Sequence, residues 1–150
     1  MEHVEHLPSW LLTQTAARAG RVVSESFATV GARGYHYRVL SSLADGGPAS
    51  QADLGRRTGI HLSDMVKALN ELEAGGYIRR VPNPDDRRRN IITLTSQGTE
   101  RAQSLSLLVR DVQQQVLQPL DESEKAQLTA LLSKLYQHHH GQGFPPLPSM

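Results

Sequence analysis

The chain has 150 residues, 16 basic against 15 acidic side chains and no cysteine. That length suits one domain with a sizeable core, and the lack of cysteine excludes disulfides, thiolate zinc sites, cysteine nucleophiles and peroxide sensing by a thiol. No apolar run approaches the roughly 20 residues that span a bilayer, and the opening Met1-Glu2-His3-Val4-Glu5-His6 lacks a signal peptide's basic region, so a cytoplasmic location is expected.

From Leu7 to Gly31 the spacing predicts a long helix. Ser9 is a candidate N-cap, and Leu11, Thr15, Arg18 or Ala19, Val22, Ser26 or Phe27, and Val30 recur at three- and four-residue intervals along one stripe, with Gly31 and Gly34 as the stop. A second helix, Tyr35 to Ala44, is expected to bury Tyr35, Val39, Leu40 and Leu43, and Asp45-Gly46-Gly47-Pro48 turns the chain. Ser50 and Asp53 form a weak capping box for a short third helix that Thr58 and Gly59 break. A fourth helix opens near His61 or Ser63 and carries Met65, Val66, Leu69 and Leu72 at helical spacing, all expected to pack inward, until Gly75 and Gly76 end it. Two helices joined by a short glycine turn make a helix-turn-helix pattern.

Tyr77 to Val81 then reads as a strand. Pro82-Asn83-Pro84-Asp85-Asp86-Arg87-Arg88-Arg89-Asn90 cannot be helical, with two prolines and several turn formers, whereas Ile91, Ile92, Thr93 and Leu94 suit a returning strand. Five arginines and two aspartates between 77 and 95 give this hairpin a charge of +3, so the positive field is local although the whole chain is nearly neutral. Arginines on such a tip, next to a helix-turn-helix, suit a phosphate backbone or a minor groove. The competing reading is a solvated turn whose arginines pair with Asp85 and Asp86, and the adjoining helix pair weighs against it. Thr95 or Ser96 caps a further long helix with apolar residues at 105, 108, 109, 112, 116 and 117, ended by Pro119. Asp121 and Glu124 cap a last helix with the stripe Leu128, Leu131, Leu132, Leu135 and Tyr136. Residues 141–150 read as an irregular tail.

The run Asp85-Asp86-Arg87-Arg88-Arg89-Asn90-Ile91-Ile92-Thr93-Leu94-Thr95-Ser96-Gln97-Gly98 resembles the wing signature of MarR-type (multiple antibiotic resistance) transcriptional regulators, in which Asp-x-Arg precedes a strand ending in Leu-Thr-x-x-Gly. Asp86 and Arg88 occupy the Asp-x-Arg positions. Upstream, Leu69 to Arg80 is similar to the family's Leu-x-x-Leu-Glu-x-x-Gly passage from recognition helix to first wing strand. The likeness extends more loosely from Leu7 to Tyr136. It implies a mainly α fold with a small β-hairpin wing: an N-terminal dimerisation helix (1–34), a winged helix-turn-helix domain (35–95) with a small third strand near 47–50, and C-terminal dimerisation helices (96–140). It also implies a homodimer on double-stranded DNA. A two-fold pair of recognition helices fits successive major grooves about 10 bp apart, hence a pseudo-palindromic operator.

On that footing His61, Ser63, Asp64 and Lys67, near the start of the recognition helix, are the expected base readers, with Lys67 on guanine or phosphate and Asp64 accepting from a cytosine amino group or orienting Lys67. Ser50 and Gln51 are expected at phosphate, Arg88 in the minor groove steadied by Asp86, and Arg87 and Arg89 at phosphate. The family's effector crevice brings in Trp10, Arg18, His36, Tyr37 and Arg38 as a wall for a phenolic or carboxylate ligand. Against this, Trp10 also suits the core, His36 a helix surface and Arg38 a phosphate or salt bridge. His138, His139 and His140 point about 100° apart on a helix, so they make no preorganised metal site, and only chelation with His3 or His6 of a partner terminus remains for them. No catalytic triad, phosphate-cradling glycine loop or HExxH pattern is present. No enzyme activity, catalytic residue, cofactor or metal is expected. The expected function is a repressor relieved by a small ligand, with a constitutive architectural DNA binder or a metal-responsive regulator as alternatives.

Overall fold

The computed structural model describes residue 1 and residues 3–140 of the chain. The expected tail at 141–150 lies outside the described residues. A single 3-10 turn, Val4–His6, leads into α1 (Pro8–Ala28), α2 (Gly34–Gly46), α3 (Gln51–Thr58), α4 (Leu62–Ala74), β1 (Ile78–Pro82), β2 (Asn90–Leu94), α5 (Ser96–Val116) and α6 (Glu122–His140). The fold class is the expected one, mainly helical with one antiparallel hairpin.

Local chemistry explains most boundaries. Leu7, not Ser9, stands at the N-cap of α1, because Pro8 takes the first helical position, where its fixed φ suits a helix and its missing N–H costs nothing. Gly34 does not stop α1 but opens α2. Gly59 ends α3 at φ +67°, and Gly76, not Gly75, supplies the left-handed residue after α4 at φ +79°. The hairpin pairs Ile78 with Leu94 through Pro82 with Asn90, one residue later at the first strand than expected. Ala49 bonds Ile92 in both directions, 3.2 and 2.8 Å, which is the implied third strand reduced to one bridge. Thr95 caps α5, and Asp121 and Glu124 exchange hydrogen bonds at the start of α6.

The core lies under the helix-turn-helix. Val39, Leu40 and Leu43 of α2, Leu54 of α3, Met65, Ala68, Leu69 and Leu72 of α4, Ile78 and Ile92 of the hairpin and Leu105 of α5 form one cluster. In α4 the inward set includes Ala68 and excludes Val66, correcting the expectation that Val66 is buried. The outer helices differ. Phe27 is the one buried residue of α1, and α6 buries none, so Leu11, Leu12, Leu131, Leu132 and Leu135 face outward.

Candidate nucleic-acid interface

Three elements converge on one side of the core. At the start of α3 the Asp53 N–H donates to Ser50 Oγ at 3.1 Å and the Ser50 N–H donates to the Asp53 carboxylate at 3.3 Å, a closed capping box. Hydrogen bonding by Ser50, side chain and then backbone, holds the Asp53 carboxyl below the usual carboxylate range. At the start of α4 the Ser63 N–H donates to Nδ1 of His61, the N-cap, at 3.3 Å, and the Ser63 hydroxyl lies 3.0 Å from the same nitrogen. Two expected base readers are therefore engaged with each other along one edge of the imidazole. Asp64 is half-buried in the first turn, where the helix dipole favours an acid. Lys67 and Asn70 are exposed.

The wing tip is built by turn chemistry. The Asp85 N–H donates to Asn83 Oδ1 at 3.0 Å and the Arg88 N–H to Asp86 Oδ1 at 3.1 Å, while Asn83 and Arg89 close the loop through a 2.8 Å backbone bond. Asp86 thus steadies the backbone of Arg88, but its ion-pair contact is with Arg89, 3.8 Å away. Arg87, Arg88 and Arg89 are all exposed.

Between α3, the start of α4 and the hairpin runs a groove of about 690 Å³ whose walls include Ser50, Gln51, Arg56, Leu62, Arg80 and Arg89. Arg56 and Arg80 were not among the expected contacts. The excess of arginine in the hairpin was the available signal for Arg80, which donates to Asn70 Oδ1 at 2.9 Å and lies 3.8 Å from Glu73, pinning β1 to α4.

The five expected ligand residues are dispersed within this chain. Arg18 lines a groove of about 520 Å³ between α1 and α5, and Tyr37 lines a separate one of about 540 Å³ between α2 and α5. Trp10 is partly exposed in the first turn of α1, not in the core. The Arg38 guanidinium donates to the Thr58 carbonyl. His36 is not a surface residue but 8% exposed. Its Nδ1 accepts from the Arg33 N–H at 3.3 Å and its Nε2 lies 2.9 Å from Glu71 of α4, which also takes the Arg33 guanidinium. Burial holds the imidazole below its ordinary pKa, the nearby Arg33 and Arg101 charges add to this, and the hydrogen bond and charge of Glu71 oppose it without prevailing. Among the described residues no group of three or more His, Asp or Glu side chains is placed to hold a metal ion.

A sequence model described as the MarR family matches residues 31–89. A transcriptional regulatory protein assigned to the hcr operon of Thauera aromatica is 31% identical over 100 residues, 67% of this chain and 60% of that protein. The multiple antibiotic resistance protein MarR of Escherichia coli is 25% identical over 126 residues, covering 83% of this chain and 88% of its own length. A mutant of that MarR, solved with operator DNA, superposes with a TM-score of 0.74 at 25% identity over 87% of this chain and 95% of its own. A transcriptional regulator of Pseudomonas aeruginosa gives 0.78 at 26% identity, covering 89% and 99%. Fold and motifs together define a winged helix-turn-helix DNA-binding regulator of transcription. The chain belongs to the MarR family.

Proposed function

We propose that the protein acts as a homodimer on a pseudo-palindromic operator, represses a nearby promoter and releases DNA when a small carboxylate or phenolic ligand binds. The observation that carries this reading is the convergence of the α3 N-terminus, the start of α4 and the hairpin arginines Arg80 and Arg89 around one groove, on the fold of a protein solved with operator DNA. Residues 35–95 serve as the reader, and 1–34 with 96–140 as the dimerisation helices. His61, Ser63, Asp64 and Lys67 lie at base edges, Ser50, Gln51, Arg87 and Arg89 at phosphates and Arg88 in the minor groove.

For the effector, the groove holding Arg18 is favoured among the five ligand candidates, because a guanidinium between two helices suits a carboxylate. Thr29, at its edge, immediately precedes the turn that ends in Arg33, whose guanidinium bonds Glu71 on α4. A ligand that shifts α1 therefore has a covalent and hydrogen-bonded route to the recognition helix, and changing the separation of two such helices weakens a paired major-groove fit.

The test is fluorescence anisotropy on the DNA upstream of its own gene and on scrambled DNA, with wild type beside Arg88→Ala. Specific binding that the variant loses by roughly 1–3 kcal/mol is expected, with a salt slope lower by about one. Equal weak binding of both proteins to both DNAs refutes the wing's role on that DNA. Titrating small aromatic and aliphatic carboxylates into the specific complex then tests release, with Arg18→Ala as the control.

A further inference from the structure

The outward face of α4 is not uniformly polar. Leu62 is 66% and Val66 41% exposed, and their four-residue spacing puts both on one strip of the helix. Neither belongs to the core cluster, whose α4 members are Met65, Ala68, Leu69 and Leu72. Leu62 also lines the groove that holds Arg80 and Arg89. The polar residues flanking Leu62 are partly spent: His61 Nδ1 caps the helix through Ser63. Beside His61 and Ser63, which are also exposed, the helix start projects one aliphatic side chain.

In water such a strip has no favourable contact. In a major groove, one feature of the base edges is apolar, the 5-methyl group of thymine. Cytosine presents an amino group and hydrogen at the corresponding edge, and purines present acceptors and donors, none of which repays the dehydration of a leucine or valine. Lys67, one residue beyond Val66, and the groove arginines supply the phosphate attraction that would press this strip against the bases. Resting on the reading of α4 as the recognition helix, we propose that Leu62 and Val66 specify thymine by apolar contact with its methyl group, one or two thymines in each half-site.

The test begins with selection of binding sites from random duplex DNA by the full chain. Each thymine of the selected site is then replaced by deoxyuridine, which deletes only the methyl, and affinity is measured at fixed salt for wild type, Leu62→Ala and Val66→Ala. Both side chains are exposed, so far-UV circular dichroism and melting of the variants should match wild type. The expected result is a loss of about four-fold for wild type at one or two thymines per half-site, the worth of one buried methyl, and no loss at that position for the variant lacking its contact. Uniform indifference to deoxyuridine, as when the pair merely brushes deoxyribose, overturns the inference while leaving sequence-specific binding intact. A loss of equal size in wild type and both variants also overturns it, since another group then reads the methyl. Selection that yields no consensus refutes the DNA-reading function itself, and the inference with it.

Discussion

Gly98 shows how a short motif becomes a structural requirement. A Cβ built there would lie 1.9 Å from the Tyr77 carbonyl oxygen, a backbone atom that cannot turn aside as a side chain would. The neighbouring Thr95 explains the rest of the Leu-Thr-x-x-Gly run: its hydroxyl donates to the Gly76 carbonyl at 2.6 Å and accepts from the Gly98 N–H at 3.0 Å. One threonine thus joins the end of α4, the end of β2 and the start of α5, and the glycine lets these segments meet. Gly98→Ala is expected to cost about 3 kcal/mol, the upper end for an overpacked site, read as a lower denaturant midpoint with unchanged slope. A variant as stable as wild type would mean that α5 slides off the wing at little cost. The spacing of this motif was legible in the sequence, but its reason was not, because the colliding atom belongs to Tyr77, just before β1 and far from Gly98 along the chain.

At the scale of elements, the link from α2 to α4 through His36 and Glu71 is the clearest case of chemistry that the sequence concealed. Residues 36 and 71 have no spacing relation, and His36 reads on its own as a helix-surface residue. In the fold its Nδ1 accepts a backbone N–H, so the neutral ring carries its proton on Nε2 and donates it to Glu71. Burial makes the charged ring costlier in the folded chain than in the unfolded one. The folded value therefore lies below the unfolded one, the unfolded chain binds the extra proton first, and stability falls as the pH drops through the imidazole range. The folded protein should lose stability as the pH falls through the ordinary imidazole value of about 6.5, and His36→Gln should flatten that limb when urea midpoints are compared. An identical limb in the variant would assign the titration to another group. The wing differs from this link in being almost wholly local: prolines, Asn83, Asp85 and Asp86 set its turns, so its place and charge could be read directly from the chain.

For the whole molecule, the outer helices pose the main energetic question. Leu131 is 61% exposed, and it lies with Leu132 and Leu135 on a helix that buries nothing within its own chain. Apolar stripes of this kind are satisfied by a second copy, as the proposed dimer requires. Leu131→Glu combined with Leu135→Glu should shift the protein to monomer in analytical ultracentrifugation and weaken operator binding, because one recognition helix spans only half the site. A dimer that survives both changes would place the interface elsewhere. By itself the sequence determined the order of the helices, the caps at Ser50, Thr95 and Asp121, and the arginine-rich hairpin, since periodicity, capping and turn propensity act over a few residues. Only the tertiary structure decided that Val66 faces out while Ala68 faces in, that His36 is buried against Glu71, that Arg18 and Tyr37 line different grooves, and that Arg80 ties β1 to α4. Each of those depends on which distant element occupies a side chain's surroundings, and that is a property of packing rather than of spacing along the chain.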